Sequence, residues 1–386
     1  MRIMSVKHKV VWHLLRPPVA LFLRVKSGYT SCRAKTRELP ENYIVLSNHA
    51  TDYDPLMVAT SFRRQMYCVG SEHIARWKRA YPIIKFLVDP IMRKKGMSAS
   101  HAIIDILRKV RHGERVFMFA EGVRTWDGVT CPIAPTTGQL IKKAGCALIT
   151  YRLVGGYFLS PGWSAHTRRG YSRGDIVNVY TKEQLETMTV DEINEAIARD
   201  LYVDAYALQL DSPKPYRGKK LAEGIENLIF ICPECGKLET ISSHGDEAKC
   251  SACGMTLTFD KYGMISGTRF KTVRELSDWQ KAHIEKAAKQ QETYTARSAT
   301  LYLVDEDMRE VQRGEVSFGS DGFAMGDLHI PFSEINDMAF HGRRKVVFSS
   351  GKDYYELVPD EGVNVIKFVW LYKELKRLEV LEASLV

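Results

Sequence analysis

The chain lacks any apolar run of the roughly 18–20 residues that a bilayer span requires. Its nearest candidate, "VVWHLLRPPVALFLRV" (residues 10–25), is interrupted by His13, Arg16, Pro17 and Pro18. That interruption predicts two short amphipathic segments lying in a membrane interface instead of a span. Acidic residues are missing from positions 1–37, which carry nine basic ones. Residues 1–95 hold 18 Lys/Arg against 6 Asp/Glu, whereas the remainder holds 37 against 40, so the net charge of +9 sits at one end. A basic arm of this kind suits an anionic partner: membrane lipid, nucleic acid or a phosphorylated substrate. No small-residue cleavage site follows it, which argues against a secretory signal. The alternatives are a mitochondrial presequence and a basic helix packed on its own domain. Internal repeats and low-complexity segments are also absent. A disulfide framework is missing too, because four of the eight cysteines are scattered (Cys32, Cys68, Cys131, Cys146) and the rest form two C-x-x-C pairs. That usage predicts a reducing compartment and one metal site.

What is present is globular. With 386 residues, 45% hydrophobic and 26% charged, two or three domains are expected. Residues 1–40 read as the basic arm. Residues 41–210 read as α/β, because the apolar runs "YIVLS", "RVFMFA", "CALITYRLV" and "DIVNVY" alternate with the helical patterns "SASHAIIDILRKVRHG" and "TVDEINEAIARDLYVDAYAL". The first of those helices has Ser98 or Ser100 for an N-cap and Gly113 for a stop. A Pro- and Lys-rich linker begins at "DSPKPYRGKK" and extends over 211–228, before a cysteine segment at 229–265. A polar helix near 271–292 lies within a linker at 266–296. Residues 297–386 show seven short strand-like runs and a final amphipathic helix with Val365, Ile366, Val369, Tyr372 and Leu375 at helical spacing. This last pattern resembles a pleckstrin-homology-like or GRAM-like module.

The chemistry concentrates in "YIVLSNHATDYDP", residues 43–55. An apolar strand stops at Ser47, and loops at the carboxyl ends of strands are where α/β folds build sites. Pro55 suits the first position of a helix, with Asp54 as its N-cap. His49 lies five residues before Asp54, so a compact loop brings imidazole to carboxylate. The carboxylate then fixes the tautomer and leaves the other ring nitrogen free to take a proton from a hydroxyl. The structural alternative is that Asn48 and Asp54 are turn and cap residues and His49 is merely exposed. A second strand-to-loop stretch, "RVFMFAEGVRTWDG" (115–128), brings Glu121, Gly122 and Arg124. Between the two, "FLVDPIMRKKG" (86–96) brings Arg93, Lys94 and Lys95. A base, a carboxylate and fixed cations suit deprotonation of a hydroxyl on a molecule held by its phosphate.

The order Asn-His-x-x-x-x-Asp, an Arg-bearing segment, then Phe-x-Glu-Gly-x-Arg resembles the 1-acylglycerol-3-phosphate O-acyltransferase family of glycerolipid acyltransferases. The resemblance spans roughly residues 40–205, including the later "RRG" at 168–170. It implies a glycerolipid-acyltransferase-like α/β domain, with His49 as general base and Asp54 as its orienting partner. It also implies Arg93 as the phosphate-binding arginine, Glu121 and Gly122 as acceptor-binding residues, and Arg124 beside them. The implied donor is a thioester, acyl-CoA or acyl carrier protein, and the acceptor a lysophospholipid or glycerol phosphate. Two departures stand out. Ala120 and Val123 replace the proline and threonine of the family's Phe-Pro-Glu-Gly-Thr-Arg. Ala147 and Thr150 stand where its later apolar strand carries two prolines.

The second pair of motifs, "CPECG…KCSACG", places Cys232, Cys235, Cys250 and Cys253 with a glycine after each pair. Two such knuckles resemble a zinc ribbon, and four thiolates form the usual tetrahedral set for a structural zinc, with no corner left for catalysis. His244 in the intervening loop is an alternative ligand, while the thioredoxin-like reading lacks its βαβ context. Residues 229–265 carry three lysines against five acidic residues, the wrong sign for a nucleic-acid surface. The leading expectation is a peripheral acyltransferase on the cytoplasmic face of a membrane. It would be docked on phospholipid by Trp12, Phe22, Arg16, Arg24 and Lys26. A catalytically inactive lipid-binding scaffold of the same family and a nucleic-acid-binding ribbon protein are the rivals.

Overall fold

The run Tyr43–Leu46 is buried at every residue, as a strand covered on both faces must be. In the computed structural model, which describes residues 6–32, 38–71, 81–93, 100–305 and 308–383, this run forms the centre of a seven-stranded sheet. The chain divides into two units. Of the described residues, the first takes those up to 218 other than 163–166, and the second takes the rest.

The first unit runs α1 (Val6–Ser27), β1 (Tyr29–Ser31), β2 (Tyr43–Ser47), α2 (Asp54–Ser61), β3 (Tyr67–Ser71), α3 (Tyr81–Val88), β4 (Ile91–Arg93) and α4 (Ser100–Arg111). It continues through β5 (Val116–Phe119), α5 (Thr136–Ala144), β6 (Ala147–Val154), α6 (Gly156–Leu159), β7 (Ser172–Tyr180), α7 (Lys182–Thr187), α8 (Val190–Leu201) and α9 (Ala205–Asp211). The strand order is β1-β7-β6-β2-β5-β3-β4, parallel except where β7 meets β6. One face of the sheet buries Ile44, Leu46, Val116 and Leu148 against Ile106, Ile141, Ile193 and Ile197 of the helices. Gly113, at φ +77, follows α4 as the stop its position predicts. Ser100 opens that helix, and Ser98 lies outside the described residues. The pattern read as one helix over 189–208 is two. Thr189 starts α8 with a capping box, and the Asp204 carboxylate accepts from the N–H groups of Tyr206 and Ala207 to start α9.

The arm departs from expectation. α1 is unbroken through Pro17 and Pro18, where two separate segments were expected. Each proline removes one backbone donor, but both are exposed, and the opposite side of the helix is held by tertiary contact. Trp12, Ala20 and Leu23 are buried, α1 packs on α2 and α3, and Arg16 Nε donates to the Thr60 carbonyl at 2.9 Å. Trp12, at 7% exposure, is therefore core and cannot serve as a membrane anchor. The outward side instead carries Val10, Leu14, Leu21, Phe22 and Val25, all exposed.

The second unit begins with a four-stranded antiparallel sheet: β8 (Ile241–His244), β9 (Glu247–Cys250), β10 (Thr256–Phe259) and β11 (Ile265–Ser266). Helix α10 (Val273–Lys289) follows, capped by Thr272 and Glu275. Seven antiparallel strands come next: β12 (Tyr294–Val304), β13 (Met308–Gly319), β14 (Gly322–Met325), β15 (Leu328–Pro331), β16 (Ile335–His341), β17 (Lys345–Ser350) and β18 (Asp353–Pro359). They are ordered β15-β14-β13-β12-β18-β17-β16. Helix α11 (Ile366–Ala383) closes this β-rich module. Val365, Ile366, Val369, Tyr372 and Leu375 are all buried, and the Phe318 and Phe332 rings lie 6.3 and 5.6 Å from that of Tyr372. Lys367 of α11 is wholly buried and pairs with Glu239, which follows the first cysteine pair at φ +53.

Candidate active site and metal centre

Parallel pairing sets Ser47 opposite Phe119 on neighbouring strands. The loops after β2 and β5 therefore leave the same edge of the sheet together. β4 ends at Arg93 on that edge, two strands beyond β5. This is how residues separated by some seventy positions come together.

His49 Nδ1 lies 2.9 Å from Asp54 Oδ2. An ionised carboxylate only accepts, so Nδ1 carries the proton of this bond. Asp54 is fully buried, and the same oxygen accepts the N–H groups of Ala50 (2.6 Å) and Thr51 (2.8 Å). It is the first residue of α2 and caps this turn of the loop, not the helix as expected. The Phe119 ring stacks on the imidazole with centroids 4.0 Å apart at 15°. Asn48 is no turn residue. Buried at 4%, its amide donates to the Leu153 carbonyl (2.8 Å) and accepts from the Leu153 N–H (2.7 Å), bolting the end of β2 to β6. Phe119 and Asn48 were both in the motifs, but letters alone do not give a ring's stacking partner or an amide's direction.

Glu121 points inward. Its Oε1 accepts the His49 N–H at 2.6 Å and its Oε2 accepts the Cys131 N–H. Burial pushes its pKa up to about 8 against the lowering effect of those two donors. Gly122 turns the chain at φ +68, and a Cβ there would meet Arg93 Nη1 at 3.1 Å. Arg93 itself is exposed. Arg124 pairs with Asp52 at 2.9 Å. Lys94 and Lys95 lie outside the described residues. The "RRG" segment is elsewhere: the Arg168 N–H bonds the Leu159 carbonyl, and the Gly170 carbonyl abuts Gly28. A cleft beside the dyad is lined by Asn48, His49, Glu121, Thr125, Tyr157 and Val203 among others.

Residues 32–154 match the family model described as Acyltransferase. This segment is thus similar to acyltransferase domains. Among solved structures, the chain is similar to the 1-acyl-sn-glycerophosphate (LPA) acyltransferase PlsC from Thermotoga maritima. The identity is 15%, with a TM-score of 0.45, over 55% of this chain and 84% of that one. No curated protein sequence matches.

The departures from the family pattern have local causes. The Ala120 N–H donates to the Ser47 carbonyl at 3.1 Å, a bond between β5 and β2 that proline could not make. Thr150 Oγ1 donates to the buried Asp200 carboxylate (2.9 Å) and accepts the Asn178 N–H (3.1 Å). Asp200 also takes Asn178 Nδ2 and the Tyr180 hydroxyl, so a polar knot stands where the family has a proline.

In the second unit the four cysteine sulfurs lie within 4.8 Å of one another. Cys232–Cys253 and Cys235–Cys250 are each 3.8 Å apart. Zinc bonds of about 2.3 Å in a tetrahedron place sulfurs about 3.8 Å apart, so the set fits such an ion. Both knuckles repeat one geometry. Gly236 and Gly254, at φ +70 and +75, each return an N–H to the carbonyl of the first cysteine of their pair at 3.0 Å. His244 ends β8 and is not part of the cluster. None of the eight cysteines forms a disulfide.

Proposed function

We propose that the protein transfers a fatty acyl chain from a thioester donor, acyl-CoA or acyl carrier protein, to the free hydroxyl of a lysophosphatidate-like acceptor. The observation that carries this reading is the His49–Asp54 pair, 2.9 Å apart inside a segment of acyltransferase type. Nε2 of His49 takes the acceptor's proton as its oxygen attacks the thioester carbonyl. The tetrahedral intermediate collapses, the C–S bond breaks, and the departing thiolate receives the proton, so no acyl-enzyme is needed. Arg93, with Gly122 beneath it and Arg124 nearby, receives the acceptor's phosphate. The four cysteines hold one structural zinc.

No helix among the described residues is long and apolar enough to cross a membrane. The outward residues of α1, flanked by Arg24 and Lys26, support a peripheral seat on anionic lipid at the cytoplasmic face. The Phe22 ring lies 6.4 Å from that of Tyr53, one residue before Asp54, so that seat adjoins the dyad's loop.

The test is thioester consumption in mixed micelles containing lysophosphatidate and long-chain acyl-CoA or acyl carrier protein, with His49→Ala in parallel. Acceptor-dependent turnover that collapses in the variant is the expected result. Turnover equal in both proteins would overturn the dyad, and none in either across an acceptor screen would favour an inactive lipid-binding scaffold.

A further inference from the structure

We infer that Glu121 is a positioning residue for the base; the inference rests on the reading of His49 above. His49 is restrained at four points: its N–H by Glu121 (2.6 Å), its carbonyl by the Thr125 N–H (3.0 Å), its ring face by Phe119, and its Nδ1 by Asp54. Three of the four come from residues 119–125. The same segment grips the catalytic loop twice more, through the Ala120 N–H to the Ser47 carbonyl and through Arg124 to Asp52. The stretch after β5 is therefore a clamp closed around the loop after β2. Gly122 faces the other way, beneath Arg93.

Within this clamp both Glu121 oxygens are held by backbone donors. One is occupied by His49 and the other by Cys131, ten residues on, and the residue is 9% exposed. The bridge to Cys131 also ties the base's backbone to the chain entering α5, a rigid element of the sheet's flank. Glu121 thus fixes where Nε2 points, acting through His49.

The variant Glu121→Gln tests this, because it keeps the size and one accepting oxygen but turns the other acceptor into a donor facing an N–H. Loss of one of its two backbone bonds should lower kcat about tenfold to hundredfold, while the acceptor KM stays within about twofold. Arg93→Ala should show the reverse, a raised acceptor KM. Hydrogen exchange supplies an arm that needs no turnover. The His49 and Cys131 amides should be protected in the wild type and exchange faster in Glu121→Gln. A raised acceptor KM at unchanged kcat, with unchanged exchange at both amides, would make Glu121 a substrate contact and overturn the inference. Absence of turnover in the wild type would count against the acyltransfer reading alone, because the two amides still decide the role of Glu121.

Discussion

Ser47 stands opposite Phe119 in parallel register, so His49 and Glu121, each two residues further along, leave neighbouring strands side by side. The 2.6 Å bond between the His49 N–H and the Glu121 carboxylate is the direct product of that register. A slip of one residue would turn Glu121 to the other face and leave the base unheld.

Asp54→Asn should separate orientation from charge. The amide oxygen can still accept from Ala50, Thr51 and His49 Nδ1, but the negative charge that favours the protonated imidazole is gone. We expect the loop to persist and the rate of acyl transfer to fall by roughly 10²–10⁴, the range of a positioned general base. Steady-state kinetics with circular dichroism checks this, and a loss under tenfold would contradict it.

Glu121 should make the fold sensitive to alkali. Its carboxyl is raised from 4.5 to about 8 by burial. A raised folded-state value means a contribution that is complete below about 4.5 and is lost as pH climbs through about 8. Urea midpoints measured between pH 5 and 9 should therefore fall more steeply in the wild type than in Glu121→Gln. Parallel slopes would contradict this.

Thr150→Pro, which restores the residue type the family places there, should destabilise this chain. It removes the acceptor for the Asn178 N–H and one donor to Asp200, buried at 3%. A cost of about 1–3 kcal/mol is expected from the stranded groups, read as a lowered denaturation midpoint. Asp200→Ala should be similar or worse, because it strands Tyr180 and Asn178 as well.

The outward side of α1 should govern attachment to vesicles. Each large apolar side chain buried in an interface contributes about 1.5–3 kcal/mol. Leu21→Asp with Val25→Asp should then lower binding to anionic liposomes in flotation assays by at least tenfold, in a protein that melts as before. Trp12→Asp should instead unfold the first unit locally, because Trp12 is core.

Much of this architecture was legible because its signals are local. Buried parallel strands read as unalternating apolar runs, as in Tyr43–Leu46, and capping boxes at Thr189 and Thr272 mark helix starts. The cysteine knuckles announce themselves by spacing. The remainder depends on partners far away in the chain. Pro17 and Pro18 predict a break that packing on α2 and α3 overrides, and the same packing takes Trp12 out of the membrane-facing set. Thr150 meets Asp200 across fifty residues. The motif letters of residues 119–125 name the right residues but do not tell which way Glu121 points. That direction comes from two backbone donors on separate loops.

The pairing of Lys367 with Glu239 gives the cysteine cluster a reach beyond its own turns. Glu239 sits on the backbone that the first thiolate pair organises, and the ammonium it neutralises is wholly enclosed. If the four thiolates hold zinc, its removal should free that backbone, and an enclosed cation without its counter-charge should destabilise the C-terminal helix. The ribbon would then report its own metal load. Chelation should raise proteolysis within residues 366–383, a long way along the chain from any sulfur, and Lys367→Met should silence the signal while leaving one zinc per chain in place.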